Sequence, residues 1–466
     1  MRINNVLSKI ITFINILLLL LIVYNLFYFI KYPYLATDSG FYLSVARDIY
    51  QGSQYFTEIA SSYNPLAIII IGLPYFFSDD PNTRLFLLVN FIVMIFSAKI
   101  FYNILKENFR NPKQINFLFT ALFFLGYLIF EGKYVLLEPI SVLFQLFAFY
   151  YYLRSKASQN LFCYLIVGFF ISLSFFSKQF GLFIIIPILI DILITNKKWF
   201  KKCYVITIGF SIPIALLYMY YAYYGVSLEE YIMYILGKGI EFDKGIGTGS
   251  TIGIIDLLLS FTYFTLFNFY ILLIPIAFFI LREIRRKESF IFIFSALVSL
   301  SVLYFASYFH YYLYILPYFI LLTAYVSQFL KKQSHSIAFT VSLLLSCSLL
   351  SVYSYLTNNK AKDNYNNQNE SLIRLQNIIP EKSLVYIVDP SKAYYFLGKY
   401  NSINPSKIGY CFPNYFYTKT ICDNLNKGNF IIVGPDRLNE YVKELKIYNL
   451  SEIIIENRKY TIIEVL

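Results

Sequence analysis

Charge is scarce in this chain, and its absence decides more than any motif present. Only 14% of the 466 residues are Asp, Glu, Lys or Arg, against 58% hydrophobic, a balance that a soluble globular protein of this length does not carry. The apolar surplus requires lipid. Histidine is nearly absent, at two residues, and none of the five cysteines has metal-ligand spacing, so no metal signature exists. Cys163 and Cys347 lie inside apolar runs and Cys203 beside a basic loop. Only Cys411 and Cys422 are placed to pair, and then only in an oxidising compartment. No glycine-rich phosphate loop stands out; Gly245 to Gly249 reads as flexible loop. The net charge of +12 does not mark a nucleic-acid partner, because the basic residues form short clusters between apolar runs rather than one soluble face.

What is present is a train of apolar runs, each long enough for a bilayer core about 30 Å thick. They fall near 10–30, 84–105, 115–130, 135–153, 161–177, 180–196, 203–223, 256–281, 289–307, 311–330 and 337–356. This predicts a polytopic α-helical membrane protein with about eleven spans. The first run follows Arg2 and Lys9 but is too long for a signal peptide and lacks a small-residue cleavage site, so it is expected to be retained. With the N-terminus cytoplasmic, every basic cluster falls inside, among them Arg154 with Lys156, Lys197 to Lys202, and Arg282 to Lys287. Asn64 to Phe77 is apolar but reaches only about 21 Å as a helix, too short to span. It is expected to be interfacial or re-entrant, with Asn64 as N-cap and Pro65 at the first helical position.

This topology puts a long first loop, 31–83, on the outer face with a second near 224–255 and everything after 356. Residues 357–370 read as a polar linker into a small extracytoplasmic α/β domain, 357–466, with strands at Leu384–Val388 and Phe430–Val433. Gly434-Pro435-Asp436 reads as a turn or helix start. The inner face has only short loops, so chemistry is expected outside.

Four ionisable residues sit at span ends on that face. Asp38 opens an amphipathic stretch, 39–50, ended by Gly52; it is either the N-cap of that helix, a catalytic carboxylate, or both. Glu138 starts the fourth span, where a carboxylate is favoured by the helix dipole or else serves function. Lys178 lies in the tight turn after the fifth span with Gln179, and it breaks the charge rule locally. It is either a snorkelling anchor or a ligand for an anion at the membrane surface, such as a lipid phosphate. His310 opens the tenth span among tyrosines and ranks below the others, as an interfacial hydrogen-bonding residue or a substrate contact.

These segments together resemble the GT-C glycosyltransferases, particularly bacterial relatives of protein O-mannosyltransferases and of the aminoarabinose transferase of lipid A. The resemblance rests on TDSGFYLSVARDIYQG with Asp38, YNPLAIIIIGL, LLEPISVLFQLFAFYYYL with Glu138, SKQFGLFIIIPILI with Lys178, and HYYLYILP with His310. It covers most of the membrane part. Many relatives carry Asp-Glu where this chain has Asp38-Ser39, which leaves a second acidic role at this motif open. The resemblance implies a GT-C fold with interfacial helices in the first outer loop, a polyprenyl-phosphate sugar donor, and a glycan, lipid or protein acceptor. It further implies Asp38 as the acidic residue of the first outer loop and Lys178 on the donor phosphate. Beside them Glu138 is read as a second catalytic carboxylate that positions the acceptor or aids Asp38, and Arg47, Gln179 and His310 as candidate substrate contacts. Some members of this family use a divalent ion and others do not; no ligand set is evident here. Composition and resemblance place the chain in a bacterial cytoplasmic membrane. A polymerase or ligase of lipid-linked oligosaccharides is the rival enzyme, expected to lean on outer-loop arginines, of which Arg47 and Arg84 are the candidates. A transporter or flippase would show internal repeats or mid-span charge, for which Lys99 is the main candidate. A membrane scaffold without catalysis is the third alternative.

Overall fold

The computed structural model describes residues 5–54, 64–130, 132–195, 198–232, 289–305, 309–328, 333–387, 397, 401–402, 426–445, 448–455 and 458–466. The expected span at 256–281, residues Gly245 to Gly249, Glu131, Cys411 and Cys422 lie outside them. The other expected spans fall on helices. These are α1 (Asn5–Lys31), α4 (Thr83–Asn108), α5 (Lys113–Ile129), α6 (Glu138–Ser158), α7 (Leu161–Ser177), α8 (Ile185–Thr195), α9 (Trp199–Tyr223), α11 (Phe290–Phe305), α12 (Tyr312–Ser327) and α13 (Gln333–Gln376). Among the described residues, three helices are long and apolar enough to cross a membrane by length and composition: Ser8–Lys31, Thr83–Asn108 and Trp199–Tyr223. Their outward faces remain apolar, with Phe13, Leu20 and Phe27 on α1 and Leu88 and Phe96 on α4 all exposed. Such continuous apolar exposure is stable in lipid and not in water.

Between these helices, small residues and buried polar groups set the packing. Gly168 on α7 and Gly209 on α9 face each other's helix so closely that an added Cβ would strike the backbone carbonyls of Ile206 and Leu165. Without a hydrophobic drive between helices in lipid, such close approach is a main source of association. Gly168→Val is therefore expected to pry α7 from α9 and lower the melting temperature of the purified protein by several degrees. A melting curve unchanged from wild type would contradict that packing.

Contacts gather the helix ends into two groups. At one end Asn15 donates to the Gln114 carbonyl at 3.1 Å, and the Arg110 amide donates to Gln328 Oε1 at 3.0 Å. Asp191 of α8 is there too, buried, accepting a short bond from the Tyr152 hydroxyl and paired with Lys156 Nζ at 2.9 Å. Lys99, by contrast, is on the exposed face of α4. At this end the buried ionisable group inside the bundle is thus Asp191, which pairs with its neighbours, whereas Lys99 is exposed. At the other end lie the starts of α6 and α12, the α7–α8 turn, and the short helices of the first loop.

Those loop helices depart from expectation in their caps. α2 spans Thr37–Tyr50, with Ala36 in the N-cap position, so Asp38 is not the cap but sits in the first turn, where the dipole favours a carboxylate. Its residues from Ser39 to Ala46 are buried, more than a helix lying on a membrane surface would be. Gly52 ends this segment with φ +100, as a glycine can. α3 spans Pro65–Ile71 and continues into a 3-10 turn at Leu73–Phe76, with Pro65 at its start as expected. Asn64 occupies the N-cap position, but its side chain donates to the Phe175 carbonyl at 3.2 Å instead of capping, which ties α3 to α7.

The expected linker at 357–370 is helical. α13 runs unbroken for 44 residues, about 66 Å at 1.5 Å per residue, and the boundary expected at 356 falls inside it. Polar composition misled here because two of its amides find partners in the fold, Asn358 on α1 and Gln368 on the connection after it. Beyond α13 a five-stranded sheet follows in the order β2-β1-β3-β5-β4, formed by β1 (Leu384–Ile387), β2 (Asn401–Ser402), β3 (Phe430–Val433), β4 (Tyr448–Ile455) and β5 (Arg458–Val465). β1 pairs in parallel with β2 and β3, whereas β5 pairs antiparallel with β3 and β4. A helix at Pro435–Glu444, α14, starts at the Gly-Pro-Asp sequence, which settles that reading as a helix start. The short α10, Leu228–Ile232, completes the described helices.

Candidate active site

Three chain turns far apart in sequence meet at one end of the bundle. Glu138 is the first residue of α6, and its side chain is 0% exposed. Lys178 follows the last residue of α7 in extended backbone (φ −161, ψ 136) and is 3% exposed. Its Nζ stands 3.1 Å from Glu138 Oε1. His310 lies in a 3-10 turn, Phe309–Tyr311, that leads into α12, and its Nε2 is 3.8 Å from the same carboxylate oxygen. The ammonium of Lys178 also sits 5.6 Å from the ring centroid of Tyr311, a cation–π contact. Phe180 meets Tyr311 edge-on at 5.0 Å and fixes its plane.

A polar ladder beneath the pair holds α6 and α7 in register. Ser141 Oγ donates to the Ser174 carbonyl at 3.0 Å, and Ser174 Oγ donates to the Ser141 carbonyl at 2.7 Å. Gln145 Nε2 donates to the Gly181 carbonyl at 3.2 Å while its Oε1 accepts from the Tyr318 hydroxyl at 3.2 Å. Gly181 has to be glycine, since a Cβ there would meet Ser174. The serine rungs join α6 to α7 just before Lys178, the Gly181 rung joins α6 to the turn after it, and Tyr318 ties α6 to α12, so the approach of Lys178 and Glu138 is built in rather than incidental.

Two buried opposite charges gain little net stability, because desolvation offsets most of their attraction. A buried pair at the polar end of an apolar bundle therefore calls for a functional cause. Asp38 completes the arrangement from α2. Its side chain is exposed and lies within electrostatic reach of Tyr311, as do those of Lys178 and Glu138.

The other expected contacts divide. Gln179 is half-buried beside Lys178 at the start of the 3-10 turn Gln179–Ile184. Arg47 is nine residues beyond Asp38 on α2, about half a turn around the helix, and it pairs with Asp48 at 3.7 Å. It is not brought to the Glu138–Lys178 cluster. Tyr311 was passed over in the sequence because tyrosine is common at membrane interfaces; its position directly after His310 was the available signal. Lys133 was missed too. It is buried in the α5–α6 connection, with Nζ 3.3 Å from Asn358 Oδ1, and the charge argument that singles out Lys178 applies to it equally. No cluster of three or more His, Cys, Asp and Glu suited to a metal occurs among the described residues.

No family model and no curated protein matches the chain. It shares its fold with solved structures of ArnT and of an archaeal oligosaccharyltransferase, in line with the resemblance of its motifs. ArnT from Cupriavidus metallidurans is similar in the apo state, with a TM-score of 0.61 at 10% identity over 96% of this chain and 97% of that one. The same protein bound to undecaprenyl phosphate gives 0.62 at 10% identity, over 96% and 98%. The Archaeoglobus fulgidus oligosaccharyltransferase in complex with Zn and sulfate gives 0.57 at 13% identity, covering 90% of this chain and 68% of that one. At such identities the shared property is the fold.

Proposed function

We propose that this protein is an inverting glycosyltransferase that moves a sugar from a polyprenyl-phosphate donor to a glycan, lipid or protein acceptor at the outer face of a bacterial cytoplasmic membrane. The observation that carries the reading is the buried Lys178–Glu138 pair, with His310, Tyr311 and Asp38 around it, at one end of an apolar bundle with the GT-C fold. A similar structure is bound to undecaprenyl phosphate and another to a dolichol-phosphate, which supports a lipid-phosphate donor. In this reading the N-terminus is cytoplasmic, and the site and the sheet domain are extracytoplasmic.

The chemistry needs only one carboxylate at the acceptor. A polyprenyl phosphate leaves as an anion and needs no proton, unlike the sugar alkoxide released in glycoside hydrolysis. Asp38, exposed and in the first turn of α2, takes the proton of the acceptor hydroxyl as that oxygen attacks the anomeric carbon. The bond from the anomeric carbon to the phosphate oxygen breaks, its electron pair goes to the phosphate, and the configuration inverts. Lys178 meets the charge that grows on the phosphate. Glu138 is enclosed behind Lys178, so it serves by aiming and charging the lysine rather than by touching the acceptor. His310 adds a second donor on the same side, and Tyr311 offers Lys178 a face along which to shift toward the donor. One similar structure contains Zn, whereas among the described residues no group of three or more His, Cys, Asp and Glu could hold a metal ion.

Donor recognition is tested by native mass spectrometry of the protein with undecaprenyl phosphate and with undecaprenol at equal concentration. Retention of the phosphate and not the alcohol is expected. Equal retention of both, or of neither, contradicts a phosphate-reading site.

A further inference from the structure

One face of α13 carries Ser354, Asn358, Ala361, Tyr365 and Gln368, spaced four, three, four and three residues apart and so aligned on one side of the helix. This face lies against α1 and the five-residue connection, 32–36, between α1 and α2. Its polar groups are paired along their length. Asn358 Nδ2 donates to Asn25 Oδ1 at 3.1 Å, and Asn25 Nδ2 donates to Ser354 Oγ at 3.2 Å. Tyr365 packs edge-on against Tyr32, with ring centroids 5.9 Å apart. Gln368, 1% exposed, grips a single backbone residue at two points: the Leu35 amide donates to its Oε1 at 3.3 Å, and its Nε2 donates to the Leu35 carbonyl at 2.9 Å.

An irregular buried segment needs its backbone groups satisfied, and a primary amide does that for one residue in full. The place of this clamp goes beyond satisfaction. Leu35 is buried and stands three residues before Asp38, and α2 begins two residues after it. On its far side, α13 sends Leu372, Leu375 and Ile379, the last just past its end, into the core beneath the C-terminal sheet. A single rigid element therefore joins the sheet domain to the backbone that delivers Asp38.

We propose that Gln368 is a positioning residue for Asp38, fixing through Leu35 the first turn of α2 relative to Lys178 and Tyr311. The inference rests on Asp38 as the group that accepts the acceptor proton. Gln368 touches no substrate; it sets where the carboxylate stands when the hydroxyl arrives. Lys178 is delivered by α7 and the following turn, so the donor phosphate contact does not depend on this clamp.

The test uses the full chain in lipid nanodiscs with Gln368→Met, which keeps length and volume but loses both hydrogen bonds, and Gln368→Glu, which keeps one acceptor. Gln368→Met is expected to lower kcat by about tenfold to a hundredfold, since displacement of a catalytic group by about 1 Å costs that much. The donor KM should stay within about twofold, as the Lys178 contact is carried by other helices. In an Asp38→Asn background the same change should add no further loss, because the group it positions is gone. Loss of melting temperature with kcat unchanged per folded molecule, or a full multiplicative loss in the Asp38→Asn background, overturns the proposal. Hydrogen exchange gives a readout that needs no turnover: Gln368→Met should speed amide exchange at residues 32–40 and leave α6 and α7 as in wild type. If wild type transfers no sugar, the functional reading fails by itself, and unchanged exchange at 32–40 would still reject the positioning role.

Discussion

Lys178→Met is expected to remove transfer and to destabilise the protein, and a second variant separates the two losses. The methionine leaves Glu138 fully buried with its close cationic partner gone, and breaking a buried ion pair from one side costs about 3–5 kcal/mol. His310 at 3.8 Å offsets part of that only when protonated. Lys178→Met combined with Glu138→Gln removes both charges at nearly constant volume, and replacing a whole buried pair is often neutral for stability. The double variant should therefore melt close to wild type. Its transfer rate should nevertheless stay about 10²–10³-fold down, the usual loss when a group that stabilises transition-state charge is removed. A double variant that is both stable and fully active would make the pair a packing device and leave the leaving phosphate without its partner.

Asp38→Asn carries the second large effect and should cost little stability. The side chain is exposed in the first turn of α2, asparagine keeps its shape, and the favourable charge–dipole interaction that is lost there is worth about 0.3–1 kcal/mol. What it loses is the ability to take a proton. Transfer is expected to fall about 10²–10⁴-fold, as for removal of a general base, with donor KM unchanged and melting temperature close to wild type. Arg47→Ala on the same helix is the control. It pairs with Asp48 and is set about half a turn around α2 from Asp38, so transfer should stay within about threefold of wild type. If the two variants lose activity equally, α2 matters as a surface and not through Asp38.

Much of the helical architecture is legible in the sequence because apolar runs mark the helices, although among the described residues only three of them are long and apolar enough to cross a membrane by themselves. Lys178 stands out in the sequence because a cation in a turn expected on the outer side violates the charge rule that the basic clusters keep. Its partnership with Glu138 and His310 is not visible, since 138, 178 and 310 are joined only by the packing of α6, α7 and α12. The polar ladder of Ser141, Ser174 and Gln145 hides inside apolar runs, and so does Asp191 with Tyr152. Each is one polar residue in a long apolar stretch, and the fold supplies the partner. The Asn-rich stretch after 356 shows the opposite failure. Composition marks it as a linker, while an aligned face of amides, each with a partner on α1 or its connection, keeps it helical.

Label transfer is the measurement that tests the central claim most directly. Membranes containing wild type, Asp38→Asn or the Lys178→Met/Glu138→Gln pair, at equal folded amounts, would be supplied with a mixture of radiolabelled polyprenyl-phosphate sugars, and label would be followed into lipids, glycans and protein. The account predicts transfer by wild type with release of free polyprenyl phosphate, and loss of both in each variant. Transfer by the variants at the wild-type rate would contradict the assigned site. Wild-type membranes that use none of these donors, while joining lipid-linked oligosaccharides or moving them across the bilayer, would contradict the glycosyltransferase reading itself.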